Sequence, residues 1–183
     1  MHKISFNILP SPETNDHEVR ILINDEDILS KDYMGIDPPR FFSQENFYKN
    51  GELMIGRCNC GVEGCYDYPV TVIVNDNTIS WTNDFGLHLV FDKQIYERSI
   101  TEAKNDHSWE DIKKKAERFI TDILKHSQTK DNYHFNWASA RIKDNQITLS
   151  YSKRGEQKLF DIDWDGKTAI SAENNAKQFL KTI

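Results

Sequence analysis

Tyr68-Pro69-Val70-Thr71-Val72-Ile73-Val74-Asn75-Asp76-Asn77-Thr78-Ile79-Ser80-Trp81-Thr82 decides the reading of this chain. Val70, Val72 and Val74 recur every second residue, so one face of an extended segment is apolar, and the β-branched side chains suit a pleated surface. Asn75-Asp76-Asn77 follows, short polar residues that tolerate the positive φ of a hairpin turn. Alternation then resumes through Ile79 and Trp81. The stretch predicts an antiparallel hairpin.

Working outward, the same grammar recurs. Ile4, Phe6 and Ile8 alternate with polar neighbours, as do Val19, Ile21 and Ile23, so residues 4–9 and 19–23 read as strands joined by the turn-rich 10–16. Residues 87–91 predict a further strand. In the last third, 135–142, 146–151 and 158–164 read as three strands with Lys143-Asp144-Asn145 as a turn. Asp-Asn-x-Ile occurs at 76–79 and again at 144–147, with unequal offsets from a looser echo at 23–28, which is recurring turn chemistry and not a solenoid. Between 30 and 50, Asp37-Pro38-Pro39 and weak periodicity predict loop, with one helical turn near 43–48.

Three helices are expected. Asp92 caps one whose inward stripe is Ile95, Tyr96, Ile100 and Ala103. A stronger one starts at Ser108, where Ser108-Trp109-Glu110-Asp111 approximates a capping box, and presents Trp109, Ile112, Ala116, Phe119, Ile120, Ile123 and Leu124 on one face. Lys113, Lys114 and Lys115 read as its solvated side. A last helix, from Thr168 or Ser171 to Lys181, buries Ala172, Ala176, Phe179 and Leu180. Strands with few helices predict an α+β fold, mainly antiparallel sheet with two or three packed helices. At 183 residues one domain is expected, with two lobes divided near 104–107.

Composition departs from an ordinary domain at Cys58-Asn59-Cys60-Gly61-Val62-Glu63-Gly64-Cys65. This stretch holds all three cysteines and, with Gly51 and Gly56 just before it, four of the eight glycines. The simplest expectation is a glycine-shaped bend whose cysteines are small buried hydrophobes. Two other readings stand beside it. Thiolate is a preferred zinc ligand, and Cys58 and Cys60 share a face in an extended segment, but C-x-C-x4-C supplies three ligands, with His88, His17, Glu63 or Asp67 open as the fourth. A redox pair Cys60 and Cys65 is the other, without a neighbouring His or Lys to lower a thiol pKa.

Gly56-Arg57-Cys58-Asn59-Cys60-Gly61, Gly64-Cys65, Val70, Val72, Val74, Ile79-Ser80-Trp81 and Phe91-Asp92-Lys93-Gln94-Ile95-Tyr96 together resemble a family of uncharacterised bacterial proteins. In that family a C-x-C-G-x-x-G-C segment leads into a β-hairpin ending in Trp, and a Phe-Asp-x-x-x-Tyr helix start follows. The resemblance covers roughly residues 51–103. It implies a bacterial, cytoplasmic protein and brings no activity with it.

Other chemistry is weakly signalled. Asp161-Ile162-Asp163-Trp164-Asp165-Gly166 opens like a calcium loop, but Ala172 stands where the bidentate Glu belongs, and alternation on a strand explains the pattern more simply. The six histidines are scattered. There is no G-x-S-x-G elbow, P-loop or G-x-G-x-x-G. Lys plus Arg is 23 against 29 Asp plus Glu, and the net charge of −6 opposes phosphate attraction, so nucleic acid is not an expected partner. No apolar run exceeds four residues, so no membrane span is expected. The opening residues are not expected to act as an export signal, and three clustered cysteines do not make a secreted disulfide framework. Cytoplasmic location, no cofactor unless zinc, and a protein partner are the expectations. A non-enzymatic binding role follows from the acidic charge, the irregular loop and an aromatic share of 11%. One form of that role is neutralising a basic partner in the manner of an immunity protein.

Overall fold

A computed structural model describes residues 1–10, 16–60, 62 and 64–183, so the expected turn at 10–16 falls largely outside the described residues, as do Gly61 and Glu63. The fold is α+β, built from antiparallel sheets and helices. It divides into two compact units, Met1–Trp109 and Glu110–Ile183.

In the first unit, β1 (Ile4–Pro10) pairs with β2 (His17–Ile23) in the register Ile4 to Ile23, and β2 turns through Asn24 and Asp25 into β3 (Glu26–Asp27). Asn24 and Asp25 both have positive φ (52° and 70°), the conformation that matches a two-residue turn to strand twist. Residues 75–77, expected to do the same, keep negative φ, and their hairpin closes through Asn75 N–H to Thr78 O at 2.9 Å. A five-stranded sheet follows in sequence order: β4 (Tyr33–Met34), β5 (Gly51–Cys58), β6 (Tyr68–Val74), β7 (Thr78–Thr82) and β8 (His88–Asp92).

Strand β5 is absent from the sequence reading. Leu53 and Ile55 are its buried, alternating positions, and half-buried Met54 between flanking glycines hides them. Gln44 holds its outer side like a fragment of strand: Gln44 Nε2 donates to Met54 O and Gln44 Oε1 accepts from Met54 N, each at 2.9 Å. The predicted loop at 30–50 also contains helix α1 (Pro38–Phe42), where proline at the first helical positions forfeits no hydrogen bond. Phe41 and Phe47 from this segment are fully buried.

Helix α2 (Lys93–Asn105) is capped by Asp92 accepting from Ile95 N–H, as expected, and buries Tyr96 and Ile100. Ile95 is exposed instead, because the buried pair sets the inward face a quarter-turn further on. Trp81 lies at the centre of this core, and its indole N–H donates to Tyr96 Oη at 3.1 Å.

In the second unit, α3 (Ile112–Leu124) begins at Asp111 and not at Ser108. Asp111 accepts from Lys114 N–H and so caps the helix, while Ser108 N–H and the Trp109 indole N–H bond back to Asp106 in the turn that precedes it. Strands β9 (His134–Lys143), β10 (Gln146–Lys153) and β11 (Glu156–Asp163) form a sheet with β10 central, and α4 (Ala169–Phe179) starts from Thr168. Ala116, Ile120, Leu124, Ile147, Leu149, Tyr151, Ala172 and Ala176 fill its core, whereas Ile112 and Leu180 are exposed.

The expected solvated lysine face of α3 is interrupted by Lys114, which is buried with Glu117. Glu117 Oε1 accepts from Ala140 N–H (2.8 Å) and Arg141 Nε (3.0 Å), and Glu117 Oε2 lies 3.7 Å from Lys114 Nζ. A buried carboxylate survives because its oxygens are met in this way. Among the described residues no helix is long and apolar enough to cross a membrane.

Candidate functional site: a thiol trio beside an aromatic cluster

The site begins with the short strand β4. Arg20 on β2 donates from Nη1 to Tyr33 O (3.0 Å), from Nη2 to Leu29 O (2.8 Å) and from Nε to Asp27 Oδ2 (2.8 Å), which clamps the chain just before and at β4. Gly35 N–H donates to the buried Glu18 carboxylate at 2.6 Å. A Cβ on Gly35 would stand 2.3 Å from Val19 O, so only glycine permits this approach.

Held there, Tyr33 pairs with Cys58 at the end of β5. Directly opposed residues share a sheet face, so the tyrosine and the first thiol emerge together. Asn59 ties the next residue to the same segment, its backbone N–H donating to Asp32 O (3.2 Å) and its side-chain amide to Lys31 O. The chain returns through Gly64 (φ +78°), with Cys65 N–H donating to Val62 O and Gly64 N–H to Asp67 Oδ2 at 2.8 Å.

This local folding brings the Sγ atoms of Cys58, Cys60 and Cys65 within 4.8 Å of one another. Cys58 is half-buried, and Cys60 and Cys65 are exposed. The expectation of buried, packing cysteines is therefore corrected: the connection between β5 and β6 leaves the end of the sheet, where no core receives Cys60 and Cys65. The Val62 backbone N–H holds the Cys60 thiol below the usual range, helped by the Cys58 and Cys65 thiols. Cys65 is pushed up to about 11, chiefly by its hydrogen bond and charge contact with Cys60. Of Cys60 and Cys65, Cys60 therefore loses its proton first, and the resulting charge holds the Cys65 proton on.

Tyr33 stacks on Tyr68 (ring centroids 4.8 Å) and on Tyr66 (5.8 Å), and Phe85 touches both Tyr68 (5.7 Å) and Tyr66 (6.0 Å). Tyr66 and Phe85 are 55% and 56% exposed. Burial and then the Tyr66 hydroxyl push the Tyr33 phenol up to about 12. Trp81 and Trp164 are core, and the exposed aromatics of this cluster are Tyr66 and Phe85. The Tyr66-Asp67-Tyr68 run next to Cys65 was the available signal.

Of the proposed fourth ligands, His17, His88 and Asp67 do not join the sulfurs, and Glu63 lies outside the described residues. The aspartates of 161–166 do not converge either. Asp161 binds Lys143 Nζ and Thr148 Oγ1, while Asp165 caps the turn at Lys167 and Thr168. A pocket of about 280 Å³ lined by Ile36, Arg40, Met54, Arg57 and Asp67 is smaller than the ~300–1,000 Å³ typical of small-molecule sites, and Gln44 in its wall is committed to the backbone.

Fold and site together define an α+β chain with a surface thiol trio set against an aromatic cluster. No family model matches it, and neither a curated protein nor a solved structure matches it.

Proposed function

We propose that this is a non-enzymatic, cytoplasmic protein-binding domain whose recognition surface is the aromatic cluster around Tyr66 and Phe85. The observation that carries the reading is two adjacent aromatic side chains, each more than half exposed, continuous with two further rings behind them. Scattered apolar residues are ordinary on a surface, but contiguous exposed aromatics mark the centres of interfaces. Asp32, Asp67 and Asp84 each neighbour one of these aromatics in the chain, against Lys31 and Arg57, and the whole chain carries −6. An apolar centre with an acidic surround suits a protein with a basic rim, as an immunity-type neutraliser would need.

The test uses the whole chain as bait at moderate salt, alongside a Tyr66→Ala, Phe85→Ala double variant. Truncating two interface anchors costs about 2 kcal/mol or more each. Capture of a basic protein by the parent, weakened by salt and lost in the double variant with its melting temperature kept, supports the reading. Equal capture by both baits, or turnover in a broad enzyme screen with no specific partner, overturns it.

A further inference from the structure

We propose that Cys58, Cys60 and Cys65 together bind one zinc ion as thiolates, with the fourth position left to solvent, and that the ion stiffens the loop carrying Tyr66. This goes beyond protein binding and does not depend on it.

Three thiols within 4.8 Å at an exposed edge gain nothing as packing, since two of them face solvent. Their convergence is built from separate anchors: β4 pairing for Cys58, the Asn59 bonds that flank Cys60, and the Gly64 turn with Asp67 for Cys65. With zinc–sulfur bonds of about 2.3 Å, the sulfurs of a tetrahedral site stand about 3.8 Å apart, so no separation here has to close by more than about 1 Å on binding. Side-chain rotation supplies that at exposed cysteines. A disulfide requires about 2.05 Å and uses two of the three sulfurs, whereas an ion uses all of them. An all-sulfur donor set selects zinc and its softer relatives over magnesium or calcium. Each thiol that ligates gives its proton to solvent.

The experiment begins with the full chain purified without chelator, assayed for metal and then titrated with zinc and with cobalt(II). About one zinc per chain, a cobalt–thiolate charge-transfer band with tetrahedral d–d bands, and slowed modification of all three thiols by zinc are expected. Cys60→Ser and Cys65→Ser should each weaken binding about tenfold or more while far-UV circular dichroism stays unchanged. Substoichiometric zinc, no cobalt band and three thiols that react alike with and without zinc overturn the proposal, whatever the bait experiment returns. If Glu63→Ala also weakens binding about tenfold, the open fourth position is overturned, because the chain itself then fills it.

Discussion

Both units expose apolar side chains to a similar extent, but they arrange them differently. Ile142 and Leu159 of the second unit are 57% and 56% exposed and sit on β9 and β11, the two outer strands, with β10 between them. Tyr66 and Phe85 of the first unit are no more exposed, yet their rings touch and rest on two more. Exposure alone therefore marks nothing, and contiguity marks a surface. The second unit is tight hairpins and two helices around one core, while the first interrupts its sheet with the segment that holds the thiols and the rings.

The largest effect expected breaks one unit without the other. Trp81→Ala empties the centre of the first core and should cost about 3–5 kcal/mol. Amide exchange should then rise across 1–109 and hold in 110–183, and equal loss in both would dissolve the division. Glu117→Ala is the counterpart in the second unit. Removing the carboxylate that meets Ala140 N–H and Arg141 should cost about 3 kcal/mol, read by denaturant unfolding, with protection lost on the α3 side.

How far each element could be read in advance depends on its local pattern and not on the unit it belongs to. Alternation of apolar and polar residues beside short polar turns exposed β6, β7 and the three strands of the second unit, even β10, where the polar Thr148 and Ser150 between Ile147, Leu149 and Tyr151 are buried too. β5 escaped because half-buried Met54 breaks the alternation and Gly51 and Gly56 resemble loop. α1 escaped because Pro38-Pro39 reads as a breaker, although at a helix start proline forfeits nothing. The start of α3 moved because Asp111, three residues on, accepts from Lys114 N–H as the cap, while Ser108 and Trp109 belong to a turn bonded back to Asp106. The thiols were legible as a cluster. Their exposure was not, since it depends on where β5 ends relative to β4.

A smaller effect sharpens the site. Asp67→Ala removes the acceptor of Gly64 N–H, an exposed hydrogen bond worth about 1 kcal/mol, and should speed modification of Cys60 and Cys65 without moving the global melting temperature. The signature of Tyr33 is confined to high pH. Its phenol is raised to about 12 against about 10 in an unfolded chain, so between those values the folded state keeps a proton that the unfolded state has lost. Stability of the first unit is complete below pH about 10 and declines as pH rises toward 12. Tyr96, Tyr133 and Tyr151 are also held above the ordinary phenol range, so the late tyrosinate absorbance step should be smaller by one phenol in Tyr33→Phe than in the parent.

The most direct measurement sets the two surfaces against each other in one capture experiment: the parent, Tyr66→Ala with Phe85→Ala, and Ile142→Ala with Leu159→Ala. Loss of the captured protein in the first pair and full retention in the second is the predicted result. Retention in the first pair with loss in the second would place recognition on the wrong unit and contradict the account.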